Sequence, residues 1–439
     1  MLQNPAEPTT FQFQYFKGFD QASLALDQPV TLVIGRNGAG KSNLLEGIAL
    51  LGELASGRPL FEVNNGTSGA VRGGLSGCPS LGERYFILGC TQGDLQYRLV
   101  VRPEVKQVEA ESLQISDRIL FQAEDGNFRN RTIEVRCNPD PAKPMPEDTQ
   151  KQPLSSERSV LSVYPHNFLP STPSLSQDLT MQKVGALKQR LKDICFLSPQ
   201  PSAMRKYQRV GLSLGPRTIA WDAANLSALL YDLHTGSAAD QETLRAICRE
   251  VQALPEEPFG DIGFLQTPTD EVMLGFWPNQ TAATADPDEV PPLHAGLLSD
   301  GTLCYLALIT ALATLPTGTL LLIEDFDAGL HPSRMARLLT ILSERCKERK
   351  ISAVVTTHSP AVLNGLSSEH LKGVVVCYRA PGAQSGQLCP LLEVPEADIL
   401  LERGHLGDIV TKQVLEEHLA PRFSELRKQQ CLDLLESIP

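Results

Sequence analysis

Residues 30–50, VTLVIGRNGAGKSNLLEGIAL, constrain this 439-residue chain more than any other stretch. A short β-branched run enters a glycine-rich turn, and an amphipathic run starting near Ser42 leaves it. Gly35, Gly40, Lys41 and Ser42 fit the spacing G-x-x-x-x-G-K-[ST] in the context it needs, strand then turn then helix. Glycines allow backbone angles that a Cβ forbids, so successive N–H groups can point inward at phosphate oxygens. The following helix adds the positive end of its dipole. The pattern predicts a phosphate-binding loop built from Gly35, Arg36, Asn37, Gly38, Ala39, Gly40, Lys41, Ser42 and Asn43. In it Lys41 reaches the β- and γ-phosphates of a nucleotide, and the Ser42 hydroxyl holds Mg²⁺. The competing reading is a turn that binds nothing.

Length and composition bound the rest. The chain is long enough for two or three domains and a large core. With 42% hydrophobic and 21% charged residues it has the make-up of a soluble protein. A net charge of −12 argues against a protein that coats nucleic acid non-specifically, while leaving room for a local basic groove. Ten scattered cysteines with no C-x-x-C pair read as reduced core residues of a cytoplasmic protein. No secretory signal or membrane-spanning run is evident, so no membrane partner is expected.

Along the chain, residues 11–34 suggest a hairpin or small sheet, and 43–56 the helix after the phosphate loop. A Gly/Ser/Asn-rich stretch at 57–82 reads as a long mobile loop. Five alternating runs over 84–136 predict a β-meander, with QGD and EDGN as turns. Eight prolines over 138–174 suggest an irregular insertion. Helices are expected at 174–194, 222–235 and 238–253, a strand pair at 261–277, and a Pro/Asp-rich loop at 278–292. From 297 onward strands and helices alternate, which implies a mainly parallel sheet, and a polar hairpin and a charged helix near 408–436 end the chain. The boundaries expected are 1–56 and 57–137 for the first part of an α/β head and its meander, 138–292 for an inserted lobe, 293–380 for the second part of the head, and 381–439 for the terminal hairpin and helix.

Three further motifs carry chemistry. LLLIEDFD, residues 320–327, is an apolar strand ending in acids, and α/β sheets bind ligand at such strand ends. Glu324 can hold Mg²⁺ and Asp325 can take a proton from an attacking water; alone, such a strand end is more often a solvated rim. LLSDGT, residues 297–302, precedes an apolar helix. Ser299 and Asp300 make an N-cap and Gly301 leaves backbone exposed, which is either a good cap or an anion-binding helix start. VVTTHSP, residues 354–360, ends another apolar strand in His358; a lone histidine is more often structural, but its place after a strand of the expected sheet would let it contact a γ-phosphate. Basic residues cluster at Arg129, Arg131 and Arg136, at Lys183, Lys188, Arg190 and Lys192, and at Arg205, Lys206 and Arg209. They read as solvated faces or as a groove for DNA or a partner, whose binding would be salt-dependent.

The set GRNGAGKSN, LLSDGT, LLLIEDFDAGLHP and TTHSP, in this order, resembles the ABC-type P-loop ATPases of the RecF, OLD and SMC group. The likeness is strongest over residues 11–50 and 293–380, and FLSPQPSAMRKYQ and TIAWDAANLSALLYDL extend it towards the stand-alone members. It implies an α/β ATPase head with a central β-rich and helical inserted lobe. It implies ATP and Mg²⁺ as ligands, and a head-to-head dimer in which Ser299, Asp300 and Gly301 complete the nucleotide site of the opposite copy. Residues 327–331 match the D-loop and His358 the switch histidine; Gln200, in the loop after a middle strand, is the candidate for the Mg²⁺- and water-sensing glutamine, the competing reading being a surface-loop glutamine. The family usually has Asp–Glu or Glu–Glu where this chain has Glu324–Asp325. An aspartate base is one methylene short, and general-base catalysis is worth roughly 10²–10⁴-fold, so slow hydrolysis is expected. Asp300 stands where transporters have glycine, and no heptad array forms an SMC rod. The resemblance implies an ATP-gated sensor or assembly subunit for a separate effector, a nuclease or toxin in bacterial antiviral defence. The alternatives are a RecF-like DNA-repair clamp and, least of all, a transporter motor.

Overall fold

Runs of five or more apolar β-branched residues bury both faces of a strand, and amphipathic runs alternate one buried face with one wet one. The chain uses both kinds. The computed structural model describes residues 8–64, 71–165, 175–210, 218–254, 259–278, 292–327, 329–380, 382–412 and 414–420. It divides into two units, one made of Met1–Ile194 with Ser352–Pro439, the other of Cys195–Ile351.

The first unit holds an eight-stranded antiparallel sheet, ordered Phe19–Leu26, Thr9–Phe16, Phe86–Gln92, Leu95–Arg102, Gln107–Ile115, Arg118–Asn127, Thr132–Cys137, Lys151–Ser155. The N-terminal hairpin is thus part of the meander's sheet. Thr9–Phe16 turns Phe11 and Phe13 to the core. The rings of Phe13, Phe16 and Phe19 cluster with centroids 6.1–6.3 Å apart, and Phe16 meets Phe86 edge-on at 5.5 Å. Beside this sheet the unit carries parallel strands: Val30–Ile34 lies between Ser352–Thr356 and Val374–Tyr378, and Gln387–Pro390 closes the edge antiparallel. All five residues of Val30–Ile34 are buried, as a central parallel strand requires.

Helix Lys41–Ala55 is buried on nearly every side. It comes so close to the aromatic cluster that a Cβ on Gly47 would sit 2.6 Å from the Phe13 ring. A Cβ on Gly52 would sit 2.7 Å from the Leu191 carbonyl of helix Leu175–Lys192. Its buried Glu46 is held by Lys17 and, through Arg72 Nε at 2.6 Å, by the Gly/Ser/Asn-rich stretch. Of the two pairs only Lys17–Glu46 is largely buried on both sides, and removing one partner of such a pair costs roughly 3–5 kcal/mol.

The second unit begins at Cys195, within strand Ile194–Leu197, which lies beside Leu320–Ile323. A small antiparallel sheet of Gln208–Arg209, Glu271–Pro278, Phe259–Gln266 and Leu293–His294 carries helices Leu226–Thr235 and Ala238–Gln252. The second of these helices starts in a capping box of Ser237 and Asp240. Helix Asp300–Thr314 is apolar around its circumference and buried from Gly301 to Leu312, and helix Pro332–Arg349 packs against it. Among the described residues no helix is long and apolar enough to cross a membrane.

Several expectations change. EDGN is not a turn: the strand continues through it with a register shift between Glu124 and Asn127, and the chain reverses at 128–131. The proline-rich 138–174 stretch holds an edge strand, Lys151–Ser155, and a 3₁₀ turn, Val160–Ser162; residues 166–174 lie outside the described residues. Buried Glu111 stitches that turn to the sheet, accepting from the amides of Val160 (2.7 Å) and Leu161 (2.8 Å) and the hydroxyls of Ser159 (2.7 Å) and Tyr97 (3.0 Å). Burial nevertheless pushes its carboxyl above the usual range. The 57–82 stretch contains helix Leu60–Asn64 and a 3₁₀ turn, Leu75–Gly77, with 65–70 outside the described residues. The charged terminal helix is broken into Leu406–Thr411 and Val414–His418 as far as Ala420, and the remainder lies outside the described residues.

Candidate functional site

The phosphate-loop residues lie in the first unit and need glycine on two grounds. Gly35 has φ 143° at the end of its strand, and a Cβ there would meet the Cys377 carbonyl oxygen at 2.0 Å. Gly40 has φ 122°, and a Cβ would meet the Phe19 ring at 2.8 Å. Gly38, with φ 81°, faces open space, so only its backbone angle calls for glycine. Arg36, Asn37 and Gly38 form an exposed lip, while Ala39 and Gly40 are buried behind it. Helix Lys41–Ala55 starts with no side-chain cap and no acidic residue in its first turn. Those first N–H groups need acceptors from outside the helix, which makes its start suited to an anion. Lys41, only 8% exposed, folds back so that Nζ donates to the carbonyls of Gly35 (2.7 Å) and Arg36 (3.0 Å). Ser42 and Asn43 are half-buried in the first turn.

Parallel pairing brings His358 to the same end of the sheet. Thr356 pairs with Val33, the Thr357 amide donates to the Val33 carbonyl at 3.3 Å, and His358 follows, exposed. On the other side of Val30–Ile34, strand Val374–Tyr378 ends beside the loop and leads into Arg379. A cleft of about 610 Å³ is lined by Arg36 to Ala39, Tyr378 and Arg379, and by Glu416 and Glu417 of the terminal segment. Burial pushes the neighbouring Cys377 thiol up to about 12, against the opposing pull of Lys41, so it stays protonated.

The acidic strand end, the glutamine loop and the LLSDGT turn lie in the second unit. Leu320–Ile323 is wholly buried, and the Glu324 amide donates to the Leu197 carbonyl at 3.0 Å. The two strands therefore end together, and Glu324 and Gln200 leave them at the same end. Glu324 is buried; Asp325 is exposed with φ 48°. Aspartate tolerates this left-handed angle better than the longer glutamate, which gives a backbone reason for the Glu–Asp order. Gln200 is exposed, starts helix Pro201–Met204, and is anchored through its amide to the Asp222 carbonyl at 2.9 Å. Among the described residues no three His, Cys, Asp or Glu side chains gather as a metal cluster. A hydroxyl such as Ser42 and a carboxylate such as Glu324 are still the hard oxygen donors that Mg²⁺ takes, usually with water and phosphate completing the set.

Ser299 caps helix Asp300–Thr314, accepting from the Thr302 amide at 3.1 Å and meeting the Thr302 hydroxyl at 2.7 Å. Gly301 is pressed against the D-loop: a Cβ would lie 2.3 Å from the Gly329 carbonyl oxygen, and Gly329 has φ 71°. Arg334, buried in the helix after the D-loop, donates to the Thr302 hydroxyl at 3.1 Å. Thr302 closes the LLSDGT motif, but its link to Arg334 is not picked out by motif spacing, because it joins residues 32 positions apart.

The basic clusters are largely engaged within the protein. Arg131 pairs with Glu157 (2.5 Å), Arg136 with Glu124 (3.3 Å) and Lys183 with Asp94 (2.7 Å). Lys188 donates to the Ser162 and Tyr164 carbonyls, and Arg190 to the Ser352 hydroxyl at 2.8 Å. Burial holds both below the usual basic range. Arg205 pairs with Asp300 at 2.5 Å.

A stretch of 45 residues, 10% of this chain, is 58% identical to the DNA replication and repair protein RecF of Parasynechococcus marenigrum (strain WH8102); the match spans 12% of that relative's length. Among solved structures, the SMC head bound to the C-terminal winged-helix domain of ScpA is similar over 87% of this chain and 96% of its own, at 13% identity and a TM-score of 0.42. The Smc head with an extended coiled coil bound to the C-terminal domain of ScpA from Pyrococcus furiosus is similar over 90% and 98%, at 13% identity and a TM-score of 0.41. A family profile described as "AAA domain, putative AbiEii toxin, Type IV TA system" matches residues 30–140 and 226–364. With more than half of its length matched, the chain belongs to that family; its motifs resemble those of the RecF- and SMC-like P-loop ATPases.

Proposed function

We propose that this chain binds ATP at residues 35–43 and hydrolyses it slowly, two copies associating head to head so that the Ser299–Asp300–Gly301 turn of each completes the site of the other. The observation that carries the reading is the uncapped helix start with Lys41 folded onto its own loop. Lys41 would exchange the Gly35 and Arg36 carbonyls for phosphate oxygens, a swap that needs little movement of a buried side chain. His358, leaving its strand at the loop's end of the sheet, would contact the γ-phosphate. Ser42 and Glu324, with Gln200 near Glu324, are the residues that would hold Mg²⁺. When bound, the ion would neutralise charge on the phosphate oxygens. Asp325 would accept the proton of the attacking water. Its short side chain and left-handed backbone favour slow turnover and a long-lived nucleotide-bound state.

The closed pair would act as the sensor or assembly subunit of a separate effector, a nuclease or toxin. The family description, which names a toxin of a type IV toxin–antitoxin system, supports this setting. A RecF-like DNA clamp is the second reading, favoured by the 45-residue match. The internal partners of Arg131, Arg136, Lys183 and Arg205 weigh against a broad DNA groove. A salt-titrated duplex-binding assay with and without ATP separates the two, because a clamp must lose affinity steeply with salt. The ATPase reading is tested by equilibrium binding of a fluorescent ATP analogue. Lys41→Ala is expected to weaken binding by roughly 30-fold or more, the worth of a charge-assisted phosphate contact. Equal affinity in the variant and the native chain would end the reading.

A further inference from the structure

The Gln200 loop and the LLSDGT turn meet at one side chain. Gln200 starts helix Pro201–Met204 and Arg205 closes it. From there Arg205 Nη2 donates to the Leu298 carbonyl at 2.9 Å and to Asp300 Oδ1 at 2.5 Å, the residues on either side of Ser299. Each end of this link is anchored independently. The Gln200 amide is fixed to Asp222 at 2.9 Å. At the other end, Gly301 packs so near the D-loop that an added Cβ would lie 2.3 Å from the Gly329 carbonyl oxygen. Asp300 also poses an electrostatic problem. It sits exposed in the first turn, where a carboxylate opposes the approach of any phosphate. Its partner carries the opposite charge and comes from the loop that holds the candidate metal-sensing glutamine.

We propose that Arg205 is a positioning residue that links the Gln200 loop to the LLSDGT turn. It neutralises Asp300 and holds the Ser299 turn in register, so that the turn is competent for nucleotide only while the Gln200 loop keeps this arrangement. The inference rests on the ATPase reading and deepens it, since it names the residue by which a change at Gln200 is passed to the surface that would meet the second copy. On this reading Arg205 acts through its bonds to Leu298 and Asp300, which flank Ser299.

The test uses the full chain and two readouts, equilibrium affinity for a fluorescent ATP analogue and steady-state hydrolysis resolved into kcat and KM. Lys41→Ala reports on the ATPase reading alone, through loss of affinity. Arg205→Ala is expected to leave affinity within about 2-fold and to lower kcat by roughly 10-fold or more. Arg205→Lys keeps the charge but not the two-acceptor fork and should fall between. Arg205→Gln serves in place of the alanine variant should that variant lose its cooperative melt. The deciding comparison is charge reversal: Arg205→Asp and Asp300→Arg should each be impaired, and their combination should recover about half or more of the lost kcat. An unchanged kcat in Arg205→Ala or Arg205→Gln, or a double variant no better than the worse single one, overturns the proposal. If Lys41→Ala loses affinity in the same preparations, that failure belongs to the Arg205 inference and not to ATP binding.

Discussion

The phosphate loop and the LLSDGT turn each lead into a buried helix, yet they are held in different ways. The loop is fixed by steric contact between main chain and core. Gly35 lies against the Cys377 carbonyl, Gly40 against Phe19, and the strand before them is buried on both faces. The turn is fixed mostly by exchangeable hydrogen bonds, Ser299 to Thr302, Arg334 to Thr302, and Arg205 to Leu298 and Asp300, with one steric contact at Gly301. Steric contacts rise in energy steeply with displacement. Hydrogen bonds can be traded for new ones at a net cost of about 1 kcal/mol each. The loop is thus preformed, and the turn is adjustable.

Three alanine substitutions probe this contrast. Gly35→Ala should have the largest effect, about 3 kcal/mol or more, because a disfavoured angle combines with an overlap against the main chain of a buried strand. A urea-unfolding midpoint that hardly moves would remove the steric account of the loop. Gly301→Ala should cost less, about 1–2 kcal/mol: the clash with Gly329 is partly offset by better helix propensity, and the D-loop can shift. A loss as large as that of Gly35→Ala would mean the turn is as rigid as the loop, and the comparison would fail. Gly38→Ala should be mildest, about 1 kcal/mol from the left-handed angle alone, since nothing lies within 4 Å of the added methyl. Thermal melts of the three in parallel rank them directly.

What the sequence made legible follows from how each feature is encoded. The strands Val30–Ile34, Leu320–Ile323 and Ser352–Thr356 are short, mostly apolar and β-branched or leucine-rich runs, the pattern of a buried parallel strand. Residues 35–43 are contiguous, so their shape is local. Strand Lys151–Ser155 is short, polar and interrupted by Pro153; an edge strand tolerates all three because one side of it stays unpaired, and no periodicity betrays it. EDGN has turn residues, but they serve a strand irregularity, and the composition of a bulge is that of a turn. Glu111 could not be read as buried, because the donors that satisfy it come from residues 97 and 159–161. Arg205 stood in a basic cluster, and its partner Asp300 lies 95 positions away. Long-range pairing of charges leaves no trace in composition.

The cleft beside the phosphate loop has a kinetic consequence. Arg36 and Arg379 line it together with Glu416 and Glu417, two positive and two negative side chains within one recess. Opposed charges this close cancel beyond the Debye length of about 8–10 Å, so an approaching polyphosphate feels little attraction until it arrives. For a nucleotide captured at this loop, the encounter rate would change little with ionic strength. Discrimination between bound and free would rest on how slowly the loop amides and Lys41 let the phosphates go.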